Sequence, residues 1–220
     1  MLTIFEAAQM GYFEHAKELI EQDHNIINTR DAEGRTPLMC AASQGRCNVM
    51  TLLLDAGADI DDQDYTGKTT LMYAASTETR YSDMAEILAQ ADVKKQDIHG
   101  KNALMYAVEA KDEYAVESLL NLGADIDAQD VNGQTALMHA ARMGAVKIVQ
   151  ILFKFHADVT IKDKQGLDAL EHTQNVFTYN SEINPNTHWS TRECIEEQIE
   201  QQELLEAEIY CSNCSGCSIC

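Results

Sequence analysis

The chain has 220 residues, which is enough for one domain of ordinary size with an extension and excludes a large multidomain enzyme. Hydrophobic residues make up 45% of the sequence and charged residues 24%, so the chain can bury a core. The formal net charge of −20 argues against nucleic acid or anionic lipid as partners and favours basic or neutral ones.

The amino terminus shows no targeting signal. The segment from Met1 to Glu6 lacks the positive n-region and the long apolar h-region of a secretory signal peptide. Apolar runs elsewhere are a few residues long, far short of the roughly 20 that a membrane-spanning helix needs. We therefore expect synthesis in a reducing cytosol, where the seven cysteines do not form a disulfide framework.

An Asp-x-x-Gly motif recurs every 33 residues along most of the chain. A leucine follows seven residues after each aspartate, and an alanine pair follows in most copies. One such unit cannot bury both of its faces, so the units are predicted to stack as a solenoid. The copies begin at Asp31, Asp64, Asp97, Asp130 and Asp163.

Each unit is predicted to contain two helices. After the turn, Thr36 can cap a first helix and Pro37 fits an early helical position that needs no N–H donor. The alanines that follow allow close approach of a neighbouring helix, and leucines then recur at the spacing of one buried helical face. Gly57 and Gly123 stand where a left-handed cap would end the second helix.

Two units depart from this pattern. In the unit that starts at residue 64, the segment from Glu78 to Asp83 is predicted to lengthen the loop by about two residues and to shorten the second helix to Met84–Gln90. We expect that loop to be mobile or to contact a partner. In the next unit Lys111 takes the place of the glycine between the two helices, which is a less favourable residue there.

The first copy, Asp31-Ala32-Glu33-Gly34-Arg35-Thr36-Pro37-Leu38-Met39-Cys40-Ala41-Ala42, resembles the ankyrin repeat, with Met39 where that family usually has His. The resemblance covers residues 1–172 and implies an all-α ankyrin-repeat solenoid, with helix-turn-helix units joined by β-hairpins or turns. Residues 1–30 match a capping unit with a capping box from Thr3 to Glu6. Repeats fill residues 31–172, with units starting at 31, 64, 97 and 130 and a partial unit at 163.

The resemblance also implies a function. Ankyrin-repeat proteins are interaction modules whose contacts come mainly from the turn tips and the concave face, so a non-catalytic, monomeric scaffold without cofactor, metal or nucleic acid is expected. A partly apolar strip of tip residues would anchor the partner, although solvated surface is the alternative. The candidate partner-binding residues are Arg35, Tyr65, Lys68, Ile98, His99, Lys101, Val131, Asn132 and Arg142.

The methionine that follows the repeated leucine in the first four copies could belong to a soft binding surface or to the core. Its fixed position in these copies favours the core. His139 occupies the position of Cys40, Tyr73 and Tyr106 in other units, which favours a structural role over metal binding. No metal-ligand spacing and no phosphate-binding glycine loop appears, so an enzymatic function has no specific support.

The repeats are followed by three further segments. Residues 173–189 are predicted to form a polar linker, and residues 190–210 an acidic amphipathic helix with a capping box from Ser190 to Glu193. Residues 211–220 form a cysteine-rich tail.

The tail cysteines allow several chemistries. Zinc, an iron–sulfur cluster, disulfides and an unmodified exposed tail all remain alternatives. Cys217-Ser218-Ile219-Cys220 resembles the C-a-a-X prenylation box, which implies a prenyl thioether on Cys217. One lipid chain anchors weakly, so palmitoylation of Cys214 or Cys211 is the expected complement, at the cytosolic face of a membrane.

The segment Glu196–Glu200 resembles the glutamate-rich signal of effectors that intracellular bacteria export by type IV secretion, and a solvated acidic helix is the alternative. The sequence thus predicts a membrane-anchored ankyrin scaffold, and a secreted effector acting in a host cell is one form of it. A soluble cytosolic adaptor or inhibitor, whose tail is unmodified or binds metal, is the other reading.

Overall fold

The computed structural model describes residues 2–77, 81–174 and 191–200. The chain divides into two compact regions, residues 1–136 and residues 137–220. Within the described residues there is no β-strand, and the only strand-like feature is an isolated antiparallel bridge between Gln63 and Thr69. The predicted all-α fold class is confirmed, and in the described residues the connections between units are turns.

The first region contains paired helices in two rows. The inner helices α1, α3, α5 and α7 pack side by side, and the outer helices α2, α4, α6 and α8 do the same. Each helix therefore contacts its counterpart in the next unit, as a stacked solenoid requires. The bounds are α1 Ile4–Met10, α2 Phe13–Gln22, a 3-10 helix His24–Asn28, α3 Pro37–Ala42, α4 Cys47–Asp55, α5 Thr70–Ala75, α6 Tyr81–Leu88, α7 Ala103–Glu109 and α8 Glu113–Asn121.

Each inner helix of this region begins at a polar cap. Thr3 and Glu6 form the predicted reciprocal capping box of α1. The side chains of Thr36, Thr69 and Asn102 accept a hydrogen bond from the backbone N–H three residues later. These caps fix the point at which each turn becomes a helix.

Small and flexible side chains fill the space between the helices. The alanine pair of α3, Ala41 and Ala42, is completely buried, which lets neighbouring helices approach closely. The recurring methionines are at most 1% exposed, so the prediction that they belong to the core is confirmed. They are Met39, Met72, Met105 and Met138.

Helix α6 differs from its predicted form. It begins at Tyr81, three residues before the expected Met84, and ends at Leu88 instead of Gln90. Leu88 lies 33 residues after Asp55 and 33 before Asn121, the last residues of α4 and α8. The predicted bounds of α6 were therefore wrong, because the unit keeps its 33-residue period and the end of α6 keeps the frame of its neighbours. The helix is nevertheless shortened, with eight residues where α4 and α8 have nine.

Lys111 carries the backbone strain that its position suggests. Its φ is 57°, whereas the equivalent turns of other units have Gly45 at 63° and Gly144 at 65°. Because a side chain in this left-handed conformation costs about 1–2 kcal/mol, we expect Lys111→Gly to raise the free energy of unfolding. The net gain should be about 0.5–1 kcal/mol, since glycine also adds freedom to the unfolded chain. Urea denaturation measures it, and a destabilised Lys111→Gly variant would contradict the strain argument.

The hydroxyl of Thr70 is buried without a hydrogen-bond partner in the described structure. Thr70 is the first residue of α5, and the corresponding first residues of α3 and α7 are Pro37 and Ala103. An unsatisfied buried hydroxyl costs about 1–3 kcal/mol, so Thr70→Ala should stabilise the protein by about 1 kcal/mol or more. Thermal unfolding tests this, with Thr69→Ala as the control. That variant should destabilise, because Thr69 caps α5.

The second region continues the helical pattern. Helix α9 spans Ala136–Arg142 at the division between the regions, followed by α10 Val146–Lys154 and α11 Ala169–Gln174. Helix α11 ends two residues beyond the boundary predicted at His172. Residues 191–200 are also helical, with Ile195 completely buried. No helix in the described part of the chain is long and apolar enough to span a membrane.

Candidate protein-interaction surface

The aspartate of each repeat organises the turn that follows it. Oδ1 of Asp64 accepts the backbone N–H groups of Thr66 at 2.8 Å and Lys68 at 2.9 Å, and the Asp64 carbonyl accepts the N–H of Gly67 at 3.0 Å. The same two contacts to Oδ1 recur at Asp31, Asp97, Asp130 and Asp163. The turn is therefore held from inside by a carboxylate.

Backbone hydrogen bonds join successive turn tips into a ribbon. The N–H of Tyr65 donates to the carbonyl of Glu33 at 3.2 Å. The N–H of Ile98 donates to the backbone carbonyl of Thr66 at 2.9 Å, and the N–H of Val131 donates to the backbone carbonyl of His99 at 2.8 Å. These bonds fix the spacing of side chains from neighbouring units before any partner arrives.

A second ladder of side-chain amides lies beneath the tips. Nε2 of Gln63 donates to the Gly67 carbonyl at 2.6 Å and to the Gln96 carbonyl at 3.1 Å. Gln96 makes the same pair of contacts, to Gly100 at 2.7 Å and to Gln129 at 3.4 Å. The sequence analysis missed these glutamines, although a glutamine directly before the aspartate at 63, 96 and 129 was a visible signal.

Three apolar side chains project from the ribbon. Tyr65 is 69% exposed, Ile98 62% and Val131 46%, and each stands directly after the turn aspartate of its unit. We call Tyr65, Ile98 and Val131 the tip ridge. His99 and Asn132 follow two of these residues and are exposed as well. Five of the nine predicted partner-binding residues thus share one exposed edge.

The predicted cations Arg35, Lys68 and Lys101 occupy equivalent positions in three successive repeats, and we call them the cation row. Arg35 forms an ion pair with Asp31 at 2.8 Å, and a longer one with Glu33 at 3.4 Å. Lys101 pairs with Glu109 at 2.6 Å. Nζ of Lys68 lies over the rings of Tyr73 and Tyr106, and Nζ of Lys101 also lies over the ring of Tyr106. Lys68 differs from the other two cations because it forms no ion pair within the described residues.

Two tyrosines of the inner helices bind the turn aspartates. Tyr73 and Tyr106 donate their hydroxyl hydrogens to Oδ2 of Asp64 and Asp97, each at 2.6 Å. Burial and the adjacent carboxylate raise the pKa of both tyrosines. Burial alone would raise the pKa of Asp64, but the hydrogen bonds from Tyr73 and the turn outweigh it and hold that pKa below its usual value. The tyrosines therefore stay neutral and the Asp64 carboxylate stays charged near pH 7.

The ninth predicted contact residue, Arg142, belongs to the second region. Its side chain is exposed, and one Nη atom lies 2.9 Å from Nδ1 of His139. His139 is 2% exposed, and nothing in the described residues forms a metal-binding cluster of His, Cys, Asp or Glu. In the same region His172 contacts Oδ2 of Asp163 at 2.9 Å, in the role of Tyr73 and Tyr106.

The described cysteines have weakly reactive thiols. Burial raises the pKa of Cys40 to about 11, and it also raises the pKa of Cys47 and Cys194. The predicted lipidation residues Cys211, Cys214 and Cys217 lie outside the described residues. So do residues 175–189 of the predicted linker, and residues 190 and 201–210 of the predicted acidic helix.

Solved structures with the same fold match most of the chain. A chain in the structure of a predatory endopeptidase of Bdellovibrio bacteriovorus in complex with an immunity protein matches with a TM-score of 0.74 and 25% identity, over 90% of this chain and 98% of that one. The protein EF0377, described as an ankyrin repeat protein, gives a TM-score of 0.74 and 28% identity over 88% and 96%. An ankyrin repeat domain of Acinetobacter baumannii gives 0.73 and 24% over 89% and 96%, which shows the fold alone.

Curated relatives are similar over shorter segments. Ankyrin repeat and SAM domain-containing protein 6 of Mus musculus is 42% identical over 60 residues, which are 27% of this chain and only 7% of the mouse protein. Ankyrin repeat family A protein 2 of Homo sapiens is 43% identical over 58 residues, or 26% of this chain and 18% of that protein. A family model described as ankyrin repeats in three copies matches residues 4–97, 50–130 and 71–163. The chain therefore belongs to the ankyrin-repeat family, a family of protein–protein interaction scaffolds.

Proposed function

We propose that the chain is a non-catalytic scaffold that binds a protein partner through the tip ridge and the cation row. The observation that carries this proposal is the alignment of Tyr65, Ile98 and Val131, three large apolar side chains exposed on consecutive turns. Water exposure of such side chains is unfavourable, and apolar anchors with a polar surround are typical of the centre of a protein interface.

The ribbon beneath these side chains supports the same function. Hydrogen bonds between Ile98 and Thr66 and between Val131 and His99 hold the tips in place without a partner. A preorganised surface loses little conformational entropy on binding, so more of the contact energy appears as affinity. A related fold also occurs in a complex between an endopeptidase and an immunity protein, where two different proteins associate.

The double variant Tyr65→Ala/Ile98→Ala should lose its partner. Interface anchors commonly contribute about 1–2 kcal/mol or more each, so partner recovery by affinity purification, quantified against the wild type, should fall at least tenfold. Tyr114→Ala is the matched control, because Tyr114 is 56% exposed but lies on the outer helix α8. Equal recovery with the double variant and the wild type would refute the tip ridge as the binding surface.

Membrane anchoring through the tail is a further part of the proposal. The support is the resemblance of Cys217-Ser218-Ile219-Cys220 to a prenylation box, with Cys214 and Cys211 as acylation sites. Such a box is a substrate only where Cys220 is the final residue. The intact mass and membrane fraction of the protein expressed in eukaryotic cells, beside Cys217→Ser, test this. A prenyl-sized mass lost in the variant supports anchoring, whereas an unmodified soluble protein supports the cytosolic adaptor.

Delivery into a host cell rests on the segment Glu196–Glu200, which lies in the helix of residues 191–200 with Glu197 and Glu200 exposed. A translocation reporter fused to the amino terminus should enter host cells from a type IV-competent strain. Replacement of the four acidic or amide residues Glu196, Glu197, Gln198 and Glu200 by alanine should abolish entry. Entry that persists would indicate that this segment is only a solvated acidic helix.

The proposed scaffold is a monomer. Sedimentation of the full chain should therefore give the mass of a monomer.

A further inference from the structure

The three members of the cation row do not share the same electrostatic partners. Lys101 pairs with Glu109, eight residues later on helix α7, at 2.6 Å. The residue eight positions after Lys68 is Ser76, which is exposed and donates its hydroxyl hydrogen to the Tyr73 carbonyl at 2.9 Å. The unit of Lys101 thus has a carboxylate at the position where the unit of Lys68 has a serine hydroxyl.

Lys68 therefore lacks a carboxylate at the position from which Glu109 pairs with Lys101. Within the described residues it forms no ion pair, while Arg35 pairs with two carboxylates. Its Nζ lies 4.6 Å from the ring centroid of Tyr106 and 5.7 Å from that of Tyr73. Two aromatic faces hold the ammonium group in place, but no carboxylate of the described residues forms an ion pair with it.

We infer that Lys68 is an anion subsite, and that the partner segment brings one Asp or Glu carboxylate to it while apolar side chains flanking that residue contact Tyr65 and Ile98. This inference rests on the proposed function of the tip ridge. The ion pair between Lys101 and Glu109 shows the expected geometry. The partner's carboxylate pairs with Lys68 in the same way that Glu109 pairs with Lys101.

The charge of the whole chain limits how acidic the partner segment can be. A net charge of −20 repels polyanions, which disfavours a long acidic tract or nucleic acid as the partner. Charges farther apart than about 8 Å are largely screened at physiological salt. The binding of a single carboxylate at Lys68 therefore depends mainly on the ammonium group of Lys68 and less on the net charge of the chain. The expected partner segment is extended, mainly apolar and carries one acidic residue.

Selection from a displayed library of random peptides on the immobilised full chain tests the inference. Peptides enriched by the wild type should carry an Asp or Glu at a fixed distance from apolar residues. Binding of one enriched synthetic peptide should weaken about tenfold with Lys68→Gln. Ser76→Glu should weaken it similarly, because the new carboxylate would pair with Lys68. Lys94→Gln, at an exposed lysine outside the cation row, should leave the affinity unchanged.

The outcomes separate the inference from the proposed function. Peptides whose binding needs Tyr65 and Ile98 but shows no acidic preference would overturn the carboxylate subsite and leave the tip ridge intact. Acidic peptides that bind Ser76→Glu as tightly as the wild type would also overturn it. Failure to select any peptide that depends on Tyr65 and Ile98 would count against both. Circular dichroism of each variant shows that the fold is retained.

Discussion

Replacement of Gly100 by alanine should lower the free energy of unfolding by about 3 kcal/mol. Gly100 has a φ of 72°, so any side chain there costs about 1–2 kcal/mol of backbone strain. A Cβ atom would also lie 2.9 Å from the backbone nitrogen of Val131 and 3.1 Å from the Cα and carbonyl carbon of Asp130. Forcing extra volume into close packing adds about 1–3 kcal/mol, and these neighbours are backbone atoms that cannot rotate away.

Gly123→Ala is the matched control for this experiment. Gly123 has a φ of 85°, but nothing lies within 4 Å of the position that its Cβ would take. That variant should lose only the strain term of about 1–2 kcal/mol, which urea denaturation of both full-length variants can resolve. Equal losses would mean that the close approach of the next turn contributes nothing.

Hydrogen exchange gives a second readout of the same contact. The N–H of Val131 donates to the carbonyl of His99, next to Gly100, so Gly100→Ala should reduce its protection. Gly123→Ala should leave that amide protected. Because Val131 belongs to the tip ridge, Gly100→Ala should also weaken partner binding without changing any exposed side chain.

The repeating features of the fold were accessible from the sequence. The 33-residue period located the turns, and the Thr caps and the methionines in a fixed register predicted where helices start and what the core contains. These features depend on local patterns that every unit repeats. The bounds of helix α6 were mispredicted because its irregular residues were given more weight than the unchanged spacing from Asp64 to Asp97, which keeps the end of the helix in the frame of its neighbours.

Contacts between units were harder to predict. The exposed positions of Tyr65, Ile98 and Val131 followed from the register, but the environment of Lys68 did not. Its Nζ lies closer to Tyr106 of the next unit than to Tyr73 of its own. That geometry depends on the rise and rotation between units, which a single sequence does not specify.

Loss of the Asp64 carboxylate should destabilise the fold by about 3–4 kcal/mol, because a hydrogen bond to a charged group contributes about 1.5–3 kcal/mol. Asp64→Ala removes the acceptor for the N–H groups of Thr66 and Lys68, the Thr66 hydroxyl and the Tyr73 hydroxyl. Tyr73→Phe, which removes one of these four contacts, should cost about 1–2 kcal/mol. Comparable losses in the two variants, measured by urea denaturation, would contradict a carboxylate-centred turn.

Asp64→Asn isolates the contribution of the charge through its pH dependence. The asparagine carbonyl can still accept from the turn N–H groups, so the variant should lose less stability than Asp64→Ala. The pKa of Asp64 in the folded protein lies below its usual value, so the charge stabilises fully above the unfolded pKa of about 3.9 and its contribution disappears as the pH falls through the folded value. The stability deficit of Asp64→Asn against the wild type should therefore be constant near neutral pH and shrink below about pH 4. A deficit that stays constant down to pH 2 would show that the carboxylate acts only through its shape, because a purely geometric contact does not titrate.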